Sequence, residues 1–279
     1  HQVLDYERNF FDTNAFPELV AIVGNTTWEV LNAKLMLNIE WEPFSDASYQ
    51  MQGRGGGAQT ISIPAGLENT ADHISKMKEA ASKPGRIVRK DGNPEEAFKN
   101  AAKVIESTYT APFLAHFMME PINFFADVTD EKAIVAGPTQ APEFVERTIA
   151  ARRNMPVEKI DVQMTRMGGG FGRRAYNHYA TEAAVISQKI KAPVKLVYTR
   201  EETTRFGVFR PAYHVSYRAA LDANNKLIAF HAKAGGVPES ALHANRFPAG
   251  AVENYLAEDW TVDSNITIGA FRAPRSNFI

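Results

Sequence analysis

Residues 166–174 read Arg-Met-Gly-Gly-Gly-Phe-Gly-Arg-Arg, and no other stretch limits so sharply what this chain can fold into. Gly168, Gly169, Gly170 and Gly172 put four glycines within five residues, which permits positive φ and a close approach of main chain to a ligand. Before them, Ile160 to Met167 alternates apolar and polar side chains as a half-buried strand does. After them, about Asn177 to Ile190 is alanine-rich and helical. The run therefore predicts a strand-to-helix turn whose N–H groups can cradle an anion, helped by the helix N-terminus. It lacks the Lys and Ser/Thr of a Walker A loop, and its glycine spacing is not the Rossmann one. A tight turn with solvated arginines accounts for the same residues equally well at this point.

A second turn, Ala136-Gly137-Pro138-Thr139-Gln140-Ala141-Pro142, lies between a strand (132–136) and a helix (142–153). Two prolines and a glycine fix it, so Gln140 is expected at the carboxyl end of a strand, where ligands bind in α/β sheets. A glutamine there donates a hydrogen bond without adding charge, although most turn glutamines are structural. In His116-Phe117-Met118-Met119-Glu120-Pro121-Ile122-Asn123, no second histidine or carboxylate stands at a metal-ligand interval. A buried polar cluster fixing the turn before Pro121 is the better reading. Gly269 to Asn277 adds Phe271, Arg272 and Ala273 after a strand, with an arginine able to bind phosphate or carboxylate bidentately. Glu201 and Glu202 with Arg200 and Arg205 read as a solvated charged turn, and the histidines at 73, 178, 214, 231 and 243 as surface or satisfied interior residues.

Elsewhere, Thr26 and Glu29 form a capping-box pattern between candidate strands at 18–23 and 37–41. From Phe44 to about Gly66 the periodicity dissolves around Gly53, Gly55, Gly56 and Gly57, the pattern of a linker. Helices are expected over 70–82 and from Asn93, and a hairpin over 214–220 and 227–234 closed at Asp222 to Asn225. The fold class is α+β (mixed α/β). Lys plus Arg total 31 against 32 Asp plus Glu, a net charge of -1, which points away from nucleic acid or an anionic membrane as main partner. No apolar run approaches the roughly 20 residues of a membrane-spanning helix. With no cysteine, thiolate chemistry, disulfides and cysteine-ligated clusters are excluded within the chain. The first residue is His1 with no export-signal pattern after it, so a processed product or an excised segment is expected.

Taken in order, HFMMEPIN, GPTQAPEF, MGGGFGRR, VKLVYTREE and GAFRAPRSN resemble the molybdenum-binding large subunit of the xanthine oxidase superfamily. The double arginine after GGGFG and the early VAIVGNTTWEVLNAK are most similar to the isoquinoline 1-oxidoreductase beta-subunit branch, alongside bacterial aldehyde dehydrogenases. The resemblance implies that residues 1–43 end a hammerhead-type α/β domain, that 44–100 form a linker with connecting helices, and that 101–279 form an incomplete first molybdopterin-binding domain. It implies a molybdenum–molybdopterin cofactor, in the cytosine dinucleotide form, held by Gln140, Gly169, Gly170, Phe171, Gly172, Arg173, Phe271, Arg272 and Ala273. Gln140 and Phe171 would lie near the metal without ligating it. The implied reaction is hydroxylation of an N-heteroaromatic ring or an aldehyde with oxygen from water, the electrons leaving to a small iron–sulfur subunit. The family's glutamate base would lie beyond Ile279, so the chain alone is expected to be inactive. Ala175 stands where purine-oxidising members carry a glutamate, which argues against a purine. The branch also implies export to the periplasm, with the cytoplasm as the alternative.

Overall fold

The computed structural model describes residues 19–40, 42, 45–52, 58–63, 65, 66 and 68–273. These fold into two compact units, each discontinuous in sequence: 1–66 with 116–207, and 67–115 with 208–279.

The first unit opens with α1 (Thr27–Leu35). Its N-terminus carries the expected capping box, in which the Glu29 N–H donates to Thr26 Oγ1 at 3.2 Å and the Thr26 N–H to Glu29 Oε2 at 3.1 Å. The flanking strands expected at 18–23 and 37–41 do not form over residues 19–24 and 37–40, and Glu18 and Trp41 lie outside the described residues. A strand needs a neighbour for its N–H and C=O groups, and no described strand runs beside either segment. The aperiodic segment contains an antiparallel hairpin, β1 (Ala47–Gln52) and β2 (Ala58–Ile63), with Ala47 opposite Ile63. Ladder pairing needs no apolar period, so hydrophobicity alone misses it. Gly53 and Gly55 to Gly57 lie outside the described residues.

The core of this unit is a sheet ordered β8-β7-β6-β9, with β6 (Asn123–Val128), β7 (Ala133–Gly137), β8 (Ile160–Met164) and β9 (Val194–Val197). Alternate residues of β6 and β7 are buried, so Phe124, Ala126, Val128, Ala133 and Val135 face one way. Helices α4 (Pro142–Arg153) and α5 (His178–Ile190) cover that face with Val145, Ile149, Tyr179, Ala180 and Ala183. α4 ends at Asn154 with φ 48°, a left-handed cap. A short helix, α6 (Arg200–Arg205), follows β9, and Lys34 of α1 pairs with its Glu202 at 2.6 Å.

The second unit is built on a sheet ordered β3-β13-β12-β11-β4. Its strands are β3 (Arg86–Asp91), β4 (Lys103–Ala111), β11 (Ala212–Leu221), β12 (Leu227–Val237) and β13 (Asn254–Thr261). β5 (Leu114–Ala115) and β10 (Phe209–Arg210) make a separate short antiparallel pair. β11 and β12 form the expected hairpin, whose turn is held by Asp222 Oδ1 accepting the Asn224 and Lys226 N–H groups at 2.8 and 2.9 Å. Helices α2 (Thr70–Ser82) and α3 (Pro94–Lys99) begin at the Asn69 and Asn93 caps and pack on β12 and β13. Helices combined with mixed sheets give the α+β (mixed α/β) class expected from the sequence.

Candidate cofactor site

Pairing direction in the first unit's sheet explains how segments far apart in sequence meet. β7 and β8 are parallel neighbours with Gly137 opposite Met164, so their carboxyl ends lie side by side. β6 is antiparallel to both β7 and β9, which brings the start of β6 and the end of β9 to the same edge. Four of the five motif segments therefore open onto one edge of one sheet: 116–123, 138–142, 165–175 and 198–205. Such an edge, outside the carboxyl ends of parallel strands, is where open α/β sheets take ligands.

At this edge Gln140 is exposed, and its Oε1 accepts the Gly172 N–H at 3.0 Å. Its Nε2 donates to nothing among the described residues. Gly169 and Gly172 have φ of 100° and 102°, and Phe171 holds a left-handed 54° with 44% of its surface exposed. A non-glycine residue in that region is uncommon and marks a backbone held there by its surroundings. The N–H groups of Gly169, Gly170 and Phe171 have no partner among the described residues. Glycine at 170 lets the Gln140 amide lie against the turn, since a Cβ there would stand 2.5 Å from Gln140 Oε1. The turn thus offers a row of free backbone donors beside a free amide, a donor set suited to phosphate or oxo groups.

The arginines contradict the solvated reading. Arg173 and Arg174 are 1% and 0% exposed. Arg173 Nη2 donates to the Phe206 carbonyl at 3.2 Å and to His178 Nε2 at 2.9 Å, so this histidine is neutral and accepts at Nε2. Gly207 makes room for the guanidinium, because a Cβ there would stand 2.6 Å from Arg173 Nε. Burial, and then the Arg173 charge, push the His178 imidazole well below its ordinary 6.5. Half-buried Tyr198 donates to Glu182 Oε2 at 2.5 Å, and desolvation with that carboxylate pushes its phenol well above 10.0.

His178 sets a pH dependence. Its folded pKa is depressed, so below about 6.5 the unfolded chain binds a proton that the folded one refuses. Stability is therefore full above that value and falls as pH drops, with a limiting slope of about 1.4 kcal/mol per pH unit. Urea midpoints at pH 7.5 and 5.5 are expected to differ in the parent. His178→Gln, which keeps an acceptor for Arg173 without the titration, is expected to reduce that difference.

The 116–123 loop carries a polar cluster as expected from sequence, but Glu120 and Asn123 are half-buried and not buried. Glu120 Oε2 accepts the Gly168 N–H at 2.8 Å, and Oε1 accepts Asn123 Nδ2 at 2.9 Å. Burial alone would raise the Glu120 carboxyl, but Asn123, the Gly168 N–H and the Arg174 charge together hold it below its ordinary value. The charged turn at 200–205 is a capped helix instead. Thr199 and Glu202 form its capping box, and Arg200 donates to the Met118 and Met119 carbonyls at 2.5 and 2.6 Å with its guanidinium over the Phe117 ring. The Thr-x-x-Glu spacing at 199–202 was the signal that could have revealed it.

Phe271, Arg272 and Ala273 belong to the second unit. Phe209 bridges to Ile268, and Arg210 lies with its guanidinium 4.4 Å from the Phe271 ring centroid while donating to the Arg272 carbonyl at 2.5 Å. Ala273 has φ 58°. Arg272 is exposed, and no described residue engages its side chain. Arg210 was missed by sequence reasoning, because nothing near it marks it as the support of a segment 62 residues away.

The family model of the molybdopterin cofactor-binding domain matches residues 79–236, more than half of the chain. A membrane-bound aldehyde dehydrogenase (pyrroloquinoline-quinone) of Gluconacetobacter polyoxogenes is 28% identical over 91% of this chain and 31% of its own length. The aldehyde oxidoreductase molybdenum-binding subunit PaoC of Escherichia coli O157:H7 is 29% identical over 61% of this chain and 24% of its own. Among solved structures, quinoline 2-oxidoreductase from Pseudomonas putida 86 shares the fold with a TM-score of 0.57 at 20% identity, covering 78% of this chain and 30% of that one. The chain spans less than a third of the length of these relatives. With a family model over more than half its length and a glycine turn of free backbone donors beside Gln140, the chain belongs to the molybdopterin cofactor-binding domain family, within the xanthine oxidase superfamily.

Proposed function

We propose that this chain is the cofactor-holding part of a molybdenum hydroxylase large subunit, and that its sheet edge faces the molybdenum end of the cofactor. The observation that carries the reading is the meeting of Gln140 with the Gly168–Gly172 turn at the carboxyl ends of β7 and β8. When bound, the cofactor supplies two-electron redox chemistry and the transfer of oxygen derived from water. The chain's own residues orient it. The N–H groups of Gly169, Gly170 and Phe171 are donors to its anionic or oxo groups, and Gln140 Nε2 is a neutral donor held in place by its Oε1 contact to Gly172. Arg272, supported through its carbonyl by Arg210, is a cation for phosphate groups, and Phe271 and Ala273 shape that segment. Arg173 acts from the interior, holding the end of the turn against His178.

The proposed substrates are N-heteroaromatic rings or aldehydes, in keeping with the aldehyde- and quinoline-oxidising names among the relatives. Ala175 leaves no carboxylate to read a purine at that position. The same proposal includes the cytosine dinucleotide form of the cofactor, the isoquinoline-type branch, electron exit to a separate iron–sulfur subunit, and a periplasmic location. No helix among the described residues is long and apolar enough to cross a membrane.

The test is molybdenum per chain in the full-length protein, produced with its small subunit in a cofactor-making bacterium. About one atom per chain is expected in the parent, with a loss of about tenfold or more in Gln140→Ala/Arg272→Ala. Folded parent protein without molybdenum, from a host whose other molybdoenzymes are loaded, would favour an anion-binding or subunit-assembly domain.

A further inference from the structure

Arg174 stands at the crossing of three segments that the sequence keeps far apart. Its side chain is completely buried and meets the Tyr179 hydroxyl of α5, yet four of its acceptors lie on loops at the sheet edge. Nε donates to the Gly169 carbonyl at 2.9 Å. Nη2 reaches the Glu120 carbonyl at 3.0 Å, Glu120 Oε2 at 3.1 Å and the Pro121 carbonyl at 3.3 Å. None of these acceptors belongs to a strand of the sheet or to α5. The Arg174 carbonyl faces the other way and accepts the Gln140 N–H at 2.9 Å and Thr139 Oγ1 at 3.3 Å. Side chain and main chain of one residue thus hold the glycine turn, the Glu120 loop and the Gln140 turn.

Glu120 doubles the tie. Besides meeting Arg174, its carboxylate accepts the Gly168 N–H, and its own N–H donates to the Gly168 carbonyl at 3.2 Å. The packing is close, since a Cβ at Gly168 would stand 2.5 Å from Glu120 Cβ. Arg173 is equally buried, but its side chain hydrogen-bonds to His178 and the Phe206 carbonyl.

We propose that Arg174 is the positioning residue of the cofactor-facing edge, setting the turn that offers the backbone donors and the turn that carries Gln140 relative to one another. This rests on reading that edge as the cofactor site, but the tie itself is made only of the chain's own residues. A planar guanidinium reaches Gly169 on one side and Glu120 with Pro121 on the other. A lysine ammonium, a single point on a flexible stem, retains only part of that reach.

The experiment is amide hydrogen exchange on full-length protein purified from a molybdate-starved host, comparing the parent with Arg174→Met, Arg174→Lys and Glu120→Gln. Exchange at the amides of Glu120, Gln140, Gly168 and Gly172 is expected to quicken by about tenfold or more in Arg174→Met, and by less in Arg174→Lys. Amides within β6, β7 and α5 should keep the parent's protection. Glu120→Gln places an amide donor against other donors, so it should quicken Gly168 and leave Gln140 unchanged. Unchanged exchange at Gln140 in both Arg174 variants overturns the proposal. So does a uniform rise over sheet and helix, which would make Arg174 a general stabiliser. If Arg174→Met does not fold, Arg174→Lys carries the same comparison. Molybdenum loading in a replete host separates the two readings. A parent that takes no molybdenum but shows the exchange pattern overturns the cofactor assignment and keeps Arg174 in its positioning role. A parent that loads without the pattern does the reverse.

Discussion

Alanine at position 170 is expected to leave the chain folded and to strip the full-length protein of most of its molybdenum. The added methyl would stand 2.5 Å from Gln140 Oε1, 2.8 Å from Gln140 Cδ and 2.8 Å from Met167 Sδ. These atoms are the far ends of flexible side chains, and Gln140 is exposed, so both can swing away. What is lost is the Gln140 contact to the Gly172 N–H, a net of about 1 kcal/mol. Melting is expected to shift by only about 2–4 °C for a unit of this size. Under the proposed function the consequence for binding is larger, because the neutral donor and the backbone donors no longer converge. Molybdenum per chain is expected to fall about tenfold or more, the scale seen when a supporting hydrogen bond at a metal site is removed. Metal analysis with a melting curve checks both halves. Full loading in Gly170→Ala would remove Gln140 from the cofactor's surroundings.

The same one-methyl change at Gly137 is expected to do the opposite, acting on the fold first. There the Cβ would lie 2.2 Å from Phe124 Cδ2 and 2.6 Å from Cε2, and Phe124 is fully buried. The ring has nowhere to go, because it packs edge-on against Tyr179 at 5.6 Å between centroids, inside the core under α5. Overpacking of a rigid interior costs roughly 1–3 kcal/mol, and this contact belongs at the upper end. Melting is expected to drop by about 6–12 °C. The damage then reaches the site: the Tyr179 hydroxyl donates to the Pro138 carbonyl at 3.0 Å, and Pro138 is two residues before Gln140. Phe124→Leu in the Gly137→Ala background should recover part of the loss, and a thermal double-mutant cycle would measure the coupling. Additive effects would mean that the ring is not what meets the methyl.

These two glycines also show what was readable in advance. Both stand in motifs that the sequence marks, and both turns were expected at the ends of strands. Nothing local says that one faces an exposed amide and the other a buried aromatic ring. The family resemblance rested on the order of five segments, and the structure supplies a reason why four of them keep company. β7, β8 and β9 run in one direction and β6 runs against them, so four connections emerge at one edge.

Where residue chemistry acts over a few positions, the sequence by itself determined the outcome. The Thr26 and Glu29 capping box, the Asn69 and Asn93 caps, the helix over Pro142–Arg153 and the Asp222 turn are all closed by partners within about one helical turn. Tertiary structure alone decided the rest. Arg173 and Arg174 read as solvated because a buried guanidinium depends on acceptors that local sequence does not supply. Those acceptors are the Phe206 carbonyl, 33 residues away, for the one, and Glu120 and Pro121, 54 and 53 residues away, for the other. The support of Arg272 by Arg210 spans 62 residues in the same way. Hydrogen-bond partners at such separations exist only once the chain has closed its sheets. Local propensity therefore chose the helices and turns, and long-range satisfaction of buried polar groups chose what the turns present.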